Sequence, residues 1–367
     1  MDGLIEKFKR DFKDKIGNRD LQEWARFLAQ DDKTAFEVDH TGTLFKLYIL
    51  YSYVKWPYLK IMTSLRETLH LKLIFIDLYA GNGLNMINSS EEIYVCGSAL
   101  LALFGSYLLN NSRKHNGYFD HMIFTDKSAK SVELLERRCK IVLDELKEKS
   151  LTVSTSFSSN SNLVISKSDV SDPGFITSLT TWLDSIWSHH PLHVLLFIDP
   201  DRAANFKMET LAKLLRYPGD LFLLLHTDAF VEMVNKGRYL AETVKSMLGI
   251  NDKELDDLYQ LKKNKDIAEY YVKRFETVIK TTRIDKISKG ANFREIIITT
   301  PINTGENVNY YLMYATRKTG GKDSEKWQEA FSALASEIGK MSEVGNTALE
   351  VLKGPQKTMH DFLFSDR

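Results

Sequence analysis

Cysteine is scarce: only Cys96 and Cys139 occur in 367 residues. Two thiols cannot build a disulfide scaffold, nor a four-cysteine zinc or iron–sulfur site. Charge of one sign is not in excess either. Lys+Arg and Asp+Glu are each 49, so the formal net charge is zero. A polyanion binder that is basic over its whole surface is thereby excluded, although a local basic patch is not. No apolar run reaches the ~18 residues needed to span a bilayer. The longest, Leu192–Ile198 and Leu221–Leu225, suit buried strands. The opening stretch MDGLIEKFKRDFKDK is charged and helical in pattern, without the apolar core of a signal peptide. These absences predict a soluble, cytoplasmic protein with no membrane partner. His189, His190 and His193 lie close together, but no second cluster has ligand spacing, so no metal is expected. Covalent catalysis by cysteine is also excluded, because neither cysteine lies beside the fourth strand described below.

What is present is a globular composition, 43% hydrophobic and 27% charged. Residues 1–70 read as a helical cap. Phe8, Phe12 and Ile16 recur at fours, and Trp24, Phe27 and Leu28 continue an apolar face. A second helical stretch starts near Thr41 and runs through FKLYILYSYVKW, where Pro57 is expected to interrupt it. From residue 71 the period changes. Apolar runs at Leu71–Leu78, His121–Thr125, Leu163–Ser166, His193–Ile198 and Leu221–His226 alternate with amphipathic segments. The latter are Gly97–Leu109, Ser128–Lys149, Phe175–Trp187, Met208–Arg216 and Ala229–Leu248. Continuous apolar strands separated by helices imply a parallel sheet covered on both faces. Residues 249–290 are charged and read as a helical insertion. Phe293–Thr300 and Val308–Thr316, joined by PINTGEN, predict an antiparallel pair. A final helix is expected over Ser324–Met341, ahead of a tail at 342–367. The expected fold is α/β, a doubly wound, mainly parallel sheet over 71–341.

The first apolar run ends in FIDLYAGNG. Gly81 and Gly83 give a tight turn that lets backbone approach a ligand, with Tyr79, Ala80 and Asn82 beside them. Asp77 stands at the strand end. In a dinucleotide site a carboxylate there would repel the pyrophosphate, and the third glycine of GxGxxG is replaced by Met86. An NAD-linked enzyme is therefore disfavoured. S-adenosylmethionine carries an ammonium and a sulfonium, which an acid attracts. The second strand ends at Asp126, next to Lys127, where an acid can accept both ribose hydroxyls. The third leads to Asp169 and Val170, at the adenine. The fourth leads to Asp199, at the pocket mouth. Ligands bind beyond the carboxyl ends of such strands. Asp also favours turns, so each acid alone has a plain structural reading; four in order after a GxG favour the cofactor.

The order Asp77-x-x-x-Gly-x-Gly, Asp126, Asp169, Asp199-Pro200 resembles the class I S-adenosylmethionine-dependent methyltransferases, with their Rossmann-like fold. More narrowly, HTGTLFKLYILYSYVKW, FIDLYAGNG, GSALLAL, LLFIDPDRAANF and NYYLMYATRKTGG are similar to the three-Cys-motif partner family. They spread from His40 to about Trp327. The chain departs from that pattern at Asp201-Arg202, where the family has Phe-Gly, and at Ala99, where it has Pro. The resemblance implies S-adenosylmethionine as cofactor and a partner protein with a three-cysteine, radical-enzyme-like motif. It supports methyl transfer, to a nucleobase or another nucleic-acid-linked group. It also supports an alternative, a non-catalytic cofactor-binding subunit of such a partner.

Asp199, Pro200 and Arg202 are the candidate catalytic residues. Amino-group methyltransferases place Asp-Pro-Pro-aromatic here, where carboxylate and carbonyl accept from the amine and the aromatic stacks on the base. Arg202 replaces that aromatic, and its guanidinium can stack or bind phosphate. A surface ion pair between Asp201 and Arg202 is the plain alternative. His40, Thr41 and Lys46 form a possible pocket edge near the methionine carboxylate, or else an ordinary cap and amphipathic helix. The segment 273–294 holds Lys273, Arg274, Lys280, Arg283, Lys286, Lys289 and Arg294 against Glu276 and Asp285. With Tyr270, Tyr271, Phe275 and Phe293 it reads as a possible nucleic-acid surface, or as a solvated basic face.

Overall fold

The computed structural model describes residue 13 and residues 15–37, 41–88, 93–110, 117–157, 161–200, 202–285, 294–303 and 308–317. Expectations resting on Phe8, Phe12, His40, Asp201, Lys286, Lys289, Phe293, the helix at 324–341 and the tail lie outside these residues.

The apolar runs become the centre of an eight-stranded sheet. Its strands are β2 (Lys72–Asp77), β5 (His121–Asp126), β6 (Val153–Ser154), β7 (Leu163–Lys167), β8 (Leu192–Ile198), β9 (Gly219–Leu225), β10 (Arg294–Asn303) and β11 (Val308–Arg317). The spatial order is β10-β11-β9-β8-β2-β5-β7-β6. All neighbours are parallel except that β11 runs antiparallel to both β9 and β10. This is a doubly wound, mainly parallel sheet, and the late pair is antiparallel as the turn-rich connection predicts. Successive side chains of a strand face opposite ways. In β2, Leu73 and Phe75 enter one core while Ile74 and Ile76 enter the other. Both faces are therefore buried, which is why these strands read as unbroken apolar runs.

Helices α1 (Leu21–Asp31), α2 (Thr41–Tyr53), α3 (Leu59–Leu69), α4 (Ser98–Asn110) and α5 (Ala129–Glu145) supply the first core, through Trp24, Leu28, Tyr48, Leu59, Phe104 and Leu135. A capping box, Asp20 with Glu23, starts α1. Helices α6 (Pro173–His189), α7 (Met208–Leu214), α8 (Thr227–Asn235), α9 (Ala241–Leu248), α10 (Asp252–Tyr259) and α11 (Asn264–Thr281) cover the other face.

Three details differ from the sequence reading. Pro57 does not end its helix: Val54–Tyr58 widens into a π turn that passes straight into α3. Proline lacks the N–H that an α-helix requires, and here that defect falls inside the π turn. The long helix expected over 229–248 is broken by a 3-10 turn at Gly237–Leu240. Finally, β3 (Leu84–Asn88) and β4 (Ile93–Cys96) pair antiparallel, and β1 (Phe36–Glu37) joins β3 in parallel, making a small separate sheet. Among the described residues no helix is long and apolar enough to cross a membrane.

Strand order reverses at β2: β5 and β7 lie to one side of it, β8 and β9 to the other. The crevice beyond the carboxyl ends at such a switch point is where ligands bind in open α/β sheets.

Candidate functional site

The predicted acids lie on that carboxyl edge. Asp77 ends β2, Asp126 ends β5, Asp199 follows β8 and Asp169 follows β7 by two residues. Asp77 is fully buried. Its Oδ1 accepts from the Tyr79 amide at 3.1 Å, and its Oδ2 has no hydrogen-bond partner among the described residues. Burial pushes the carboxyl up to about 7, and the charges of Asp199 and Asp126 add to this against the hydrogen bonds of Ser98 and Tyr79.

The glycine turn follows. Gly81 has φ 61° and Gly83 has φ 85°, a region that side-chain-bearing residues rarely adopt. A Cβ on Gly81 would come within 2.7 Å of the Phe36 ring, and one on Gly83 within 2.9 Å of Leu135. The Ala80 amide donates to Thr125 O at 2.8 Å, joining the ends of β2 and β5. Tyr79 donates its hydroxyl to Asn205 O at 2.8 Å, reaching the loop after β8. Asn82 is buried, and its Oδ1 accepts from the Leu84 amide at 2.9 Å.

Asn82 is also held by a residue that the sequence reading missed. Arg138 of α5 is 1% exposed. Its Nη1 donates to Asn82 O and Oδ1 at 2.7 and 2.9 Å, and its Nη2 to Asp32 O and Thr34 O at 2.9 and 2.7 Å. One guanidinium thus ties the glycine turn to the chain entering β1. The signal was available: Leu135, Arg138, Cys139 and Val142 follow helical spacing, which places Arg138 on the buried face.

Asp126 is buried, and its Oδ1 accepts from the Ser128 amide at 2.7 Å, at the start of α5. Lys127 is exposed. Asp169 is exposed too, and Oδ1 accepts from the Ser171 amide and hydroxyl at 2.8 and 2.7 Å. Those bonds hold its carboxyl below the usual range, and Lys127 and Lys207 act in the same direction. Val170 is buried.

Asp199 is paired with Lys46, which reaches it from α2. His226, directly after β9, places Nε2 3.8 Å from Asp199 Oδ1, and was not singled out from sequence. Burial alone would raise the Asp199 carboxyl, but Lys46 and His226 overcome it and hold it at about 2. Pro200 is buried and Arg202 exposed. The Asn205 Nδ2 amide, in the same loop, is buried without a partner among the described residues. Thr41 is the first residue of α2. The edge therefore brings Asp77, Asp126, Asp199 and Lys46 together, while Arg202 and Asp169 face solvent.

The basic segment needs correction. Arg294 is 2% exposed and donates to Gly219 O and Tyr217 O and, at 2.5 Å, to Leu215 O. Tyr271 and Phe275 are core residues, Tyr271 stacking on Phe230 at 4.2 Å. The interleaved aromatics thus form the buried stripe of α11 rather than a base-stacking face. Lys273 and Lys280 each lie 3.9 Å from a glutamate of α11, and Arg274 bonds Glu254 at 3.0 Å. Arg283 remains exposed.

No family model matches the chain, and no curated protein matches it. Solved structures similar to the chain include two at TM-score 0.37. One is Trm1 from Pyrococcus horikoshii in complex with S-adenosyl-L-methionine, at 11% identity, covering 78% of this chain. This chain spans 57% of that one. The other is a DUF519 protein from Legionella pneumophila, at 9% identity, covering 82% of this chain and 94% of its own.

Proposed function

We propose that the protein is an S-adenosylmethionine-dependent methyltransferase whose cofactor lies along the carboxyl edge of β2, β5 and β7. The observation that carries this reading is Asp77: a fully buried carboxyl with an oxygen unpartnered among the described residues, beside a turn whose positive φ angles and close side-chain neighbours favour glycine. A buried carboxylate with one oxygen unpartnered among the described residues is costly, and a cation removes that cost. An ammonium group suits it, and a pyrophosphate does not. Asp77 would hold the ammonium, Asp126 the ribose hydroxyls, and Asp169 with Val170 the adenine. Tyr79, Ala80, Gly81, Asn82 and Gly83 would form the floor, with Lys127 at the rim. His40, Thr41 and Lys46 would close the methionine end.

When bound, the cofactor supplies an electrophilic methyl group. Asp199, kept ionised, and the Pro200 carbonyl can each accept an N–H from an amino acceptor, turning its lone pair toward the crevice. The acceptor class is a nucleobase or another nucleic-acid-linked group. The exposed Arg202, with Lys127 and Lys207 beside Asp169, supports this by giving the rim cations for phosphate.

A second reading has its own support. Lys46 already occupies Asp199, which suits a non-catalytic cofactor-binding subunit of a three-cysteine-motif enzyme. Calorimetry should show S-adenosylmethionine binding, weakened in Asp126→Ala by roughly 1.5–3 kcal/mol, the value of a hydrogen bond to a charged group. Protein that binds NAD but not S-adenosylmethionine would overturn the cofactor reading. Labelled cofactor incubated with DNA, RNA and protein then separates the two functions: label on any acceptor means an enzyme.

A further inference from the structure

Phe36 is a large apolar ring left 42% exposed, although the chain that carries it is fixed. Its backbone pairs with Asn85 of β3. Arg138 grips the carbonyls of Asp32 and Thr34 just before it. The Asp31 carboxylate is paired with Arg137. The ring itself lies on Gly81: a Cβ there would meet Cε2 at 2.7 Å, Cδ2 at 3.1 Å and Cζ at 3.7 Å. That contact leaves 42% of the residue exposed.

Two unusual groups therefore share one short segment. Asp77, with its orphaned oxygen, is four residues before Gly81, and Phe36 covers Gly81. A ligand that satisfies both needs a cation for the acid and a second group suited to an aromatic ring. The face of an aromatic ring is electronegative and attracts cations, sulfonium and quaternary ammonium among them. S-adenosylmethionine carries an ammonium and a sulfonium a few bonds apart.

Resting on the cofactor reading above, we infer that Phe36 roofs the cofactor seat, with its ring toward the sulfonium. The ring then distinguishes the charged cofactor from its neutral demethylated product, S-adenosylhomocysteine. Product loses the cation–π attraction at the moment the methyl group leaves, which favours its release. Arg138 acts as a positioning residue for this roof.

The test is calorimetry of the full chain with S-adenosylmethionine and with S-adenosylhomocysteine, for wild type, Phe36→Ala and Phe36→Leu. Phe36→Ala should lose about fivefold or more in affinity for S-adenosylmethionine and clearly less for S-adenosylhomocysteine, the scale of one cation–π contact. Phe36→Leu keeps an apolar side chain over Gly81, so it should bind the product as wild type does while still binding S-adenosylmethionine more weakly. Equal losses for both ligands, or no loss in either variant, would overturn the assignment. Wild type that binds neither ligand would instead remove the cofactor reading on which it rests. Phe36→Leu also guards against a Phe36→Ala chain that fails to fold, which thermal melting without ligand detects.

Discussion

Asp77 and Asp199 are two carboxyls on one edge, driven in opposite directions. Burial raises Asp77 to about 7, whereas Lys46 and His226 hold Asp199 at about 2 despite its burial. Environments that push two acids apart mark sites where charge is used. Asp199 stays ionised and discourages a second charge on Asp77, which is consistent with the cation proposed for that edge. The folded chain binds the Asp77 proton more tightly than the unfolded chain, whose value is 3.8. Its contribution to stability is therefore complete below about pH 4 and is lost as pH rises toward 7. Across that window the loss is on the order of 4 kcal/mol. Asp77→Asn removes this burden. It should melt higher than wild type at pH 8, keep less than half of that gain at pH 5 and lose it near pH 3, and bind S-adenosylmethionine more weakly at pH 8 and pH 5. Melting curves at the three pH values, with calorimetry at pH 8 and pH 5, check this; an Asn variant no more stable than wild type at pH 8 would contradict it. In wild type, affinity should fall as pH drops below about 7, because the cation must then displace a proton.

Elements buried on both sides announce themselves, and elements held by single side chains do not. The strands β2, β5, β7, β8 and β9 were legible because each is centred on a short apolar run. The late pair was legible from its turn. The β3–β4 pair was not, since Leu84–Asn88 alternates only weakly and follows the glycines directly. The strand-end acids could be placed on one edge from order alone. Which of them are buried could not, because that depends on chain from elsewhere. Lys46 comes to Asp199 from α2, whereas Asp169 stays exposed and bonds locally to Ser171. Arg138 is the clearest case of a single residue organising several elements: α5, the glycine turn and the approach to β1. Arg138→Met would leave the Asn82, Asp32 and Thr34 carbonyls without their donors. It should cost about 3 kcal/mol, the penalty of a desolvated acceptor or two. Arg138→Lys should recover little, because an ammonium lacks the fork that reaches both segments. Urea denaturation reads the stability. If the strut positions the seat, affinity for S-adenosylmethionine falls in both variants; unchanged affinity in a destabilised variant would leave Arg138 a purely structural residue.

Over the whole molecule the charges balance, so any attraction for a polyanion must be local. Sequence order alone gathered the cations at 273–294, but folding disperses them: Arg294 is spent on three carbonyls, and Lys273, Arg274 and Lys280 face acids of α10 and α11. The carboxyl edge is different. Lys127 follows β5, while Arg202 and Lys207 follow β8, so two loops bring three cations toward the rim of the crevice. If the acceptor is carried on nucleic acid, phosphates near the reacting group meet these residues and not α11. Each phosphate neutralised releases counterions, and the logarithm of the binding constant falls with the logarithm of salt by about 0.9 per contact on duplex DNA. Replacing Lys127, Arg202 and Lys207 together by Gln should flatten that slope by about 2–3. Replacing Lys280 and Arg283 should change it by less than about 1. Fluorescence anisotropy with short DNA and RNA duplexes and single strands, at several salt concentrations, makes the comparison. The reverse ranking would return the nucleic-acid surface to the end of α11. No binding of any of these at low salt, in protein that binds S-adenosylmethionine, would remove nucleic acid as the acceptor. The same rim would then have to serve a smaller anionic substrate or a partner's acidic surface.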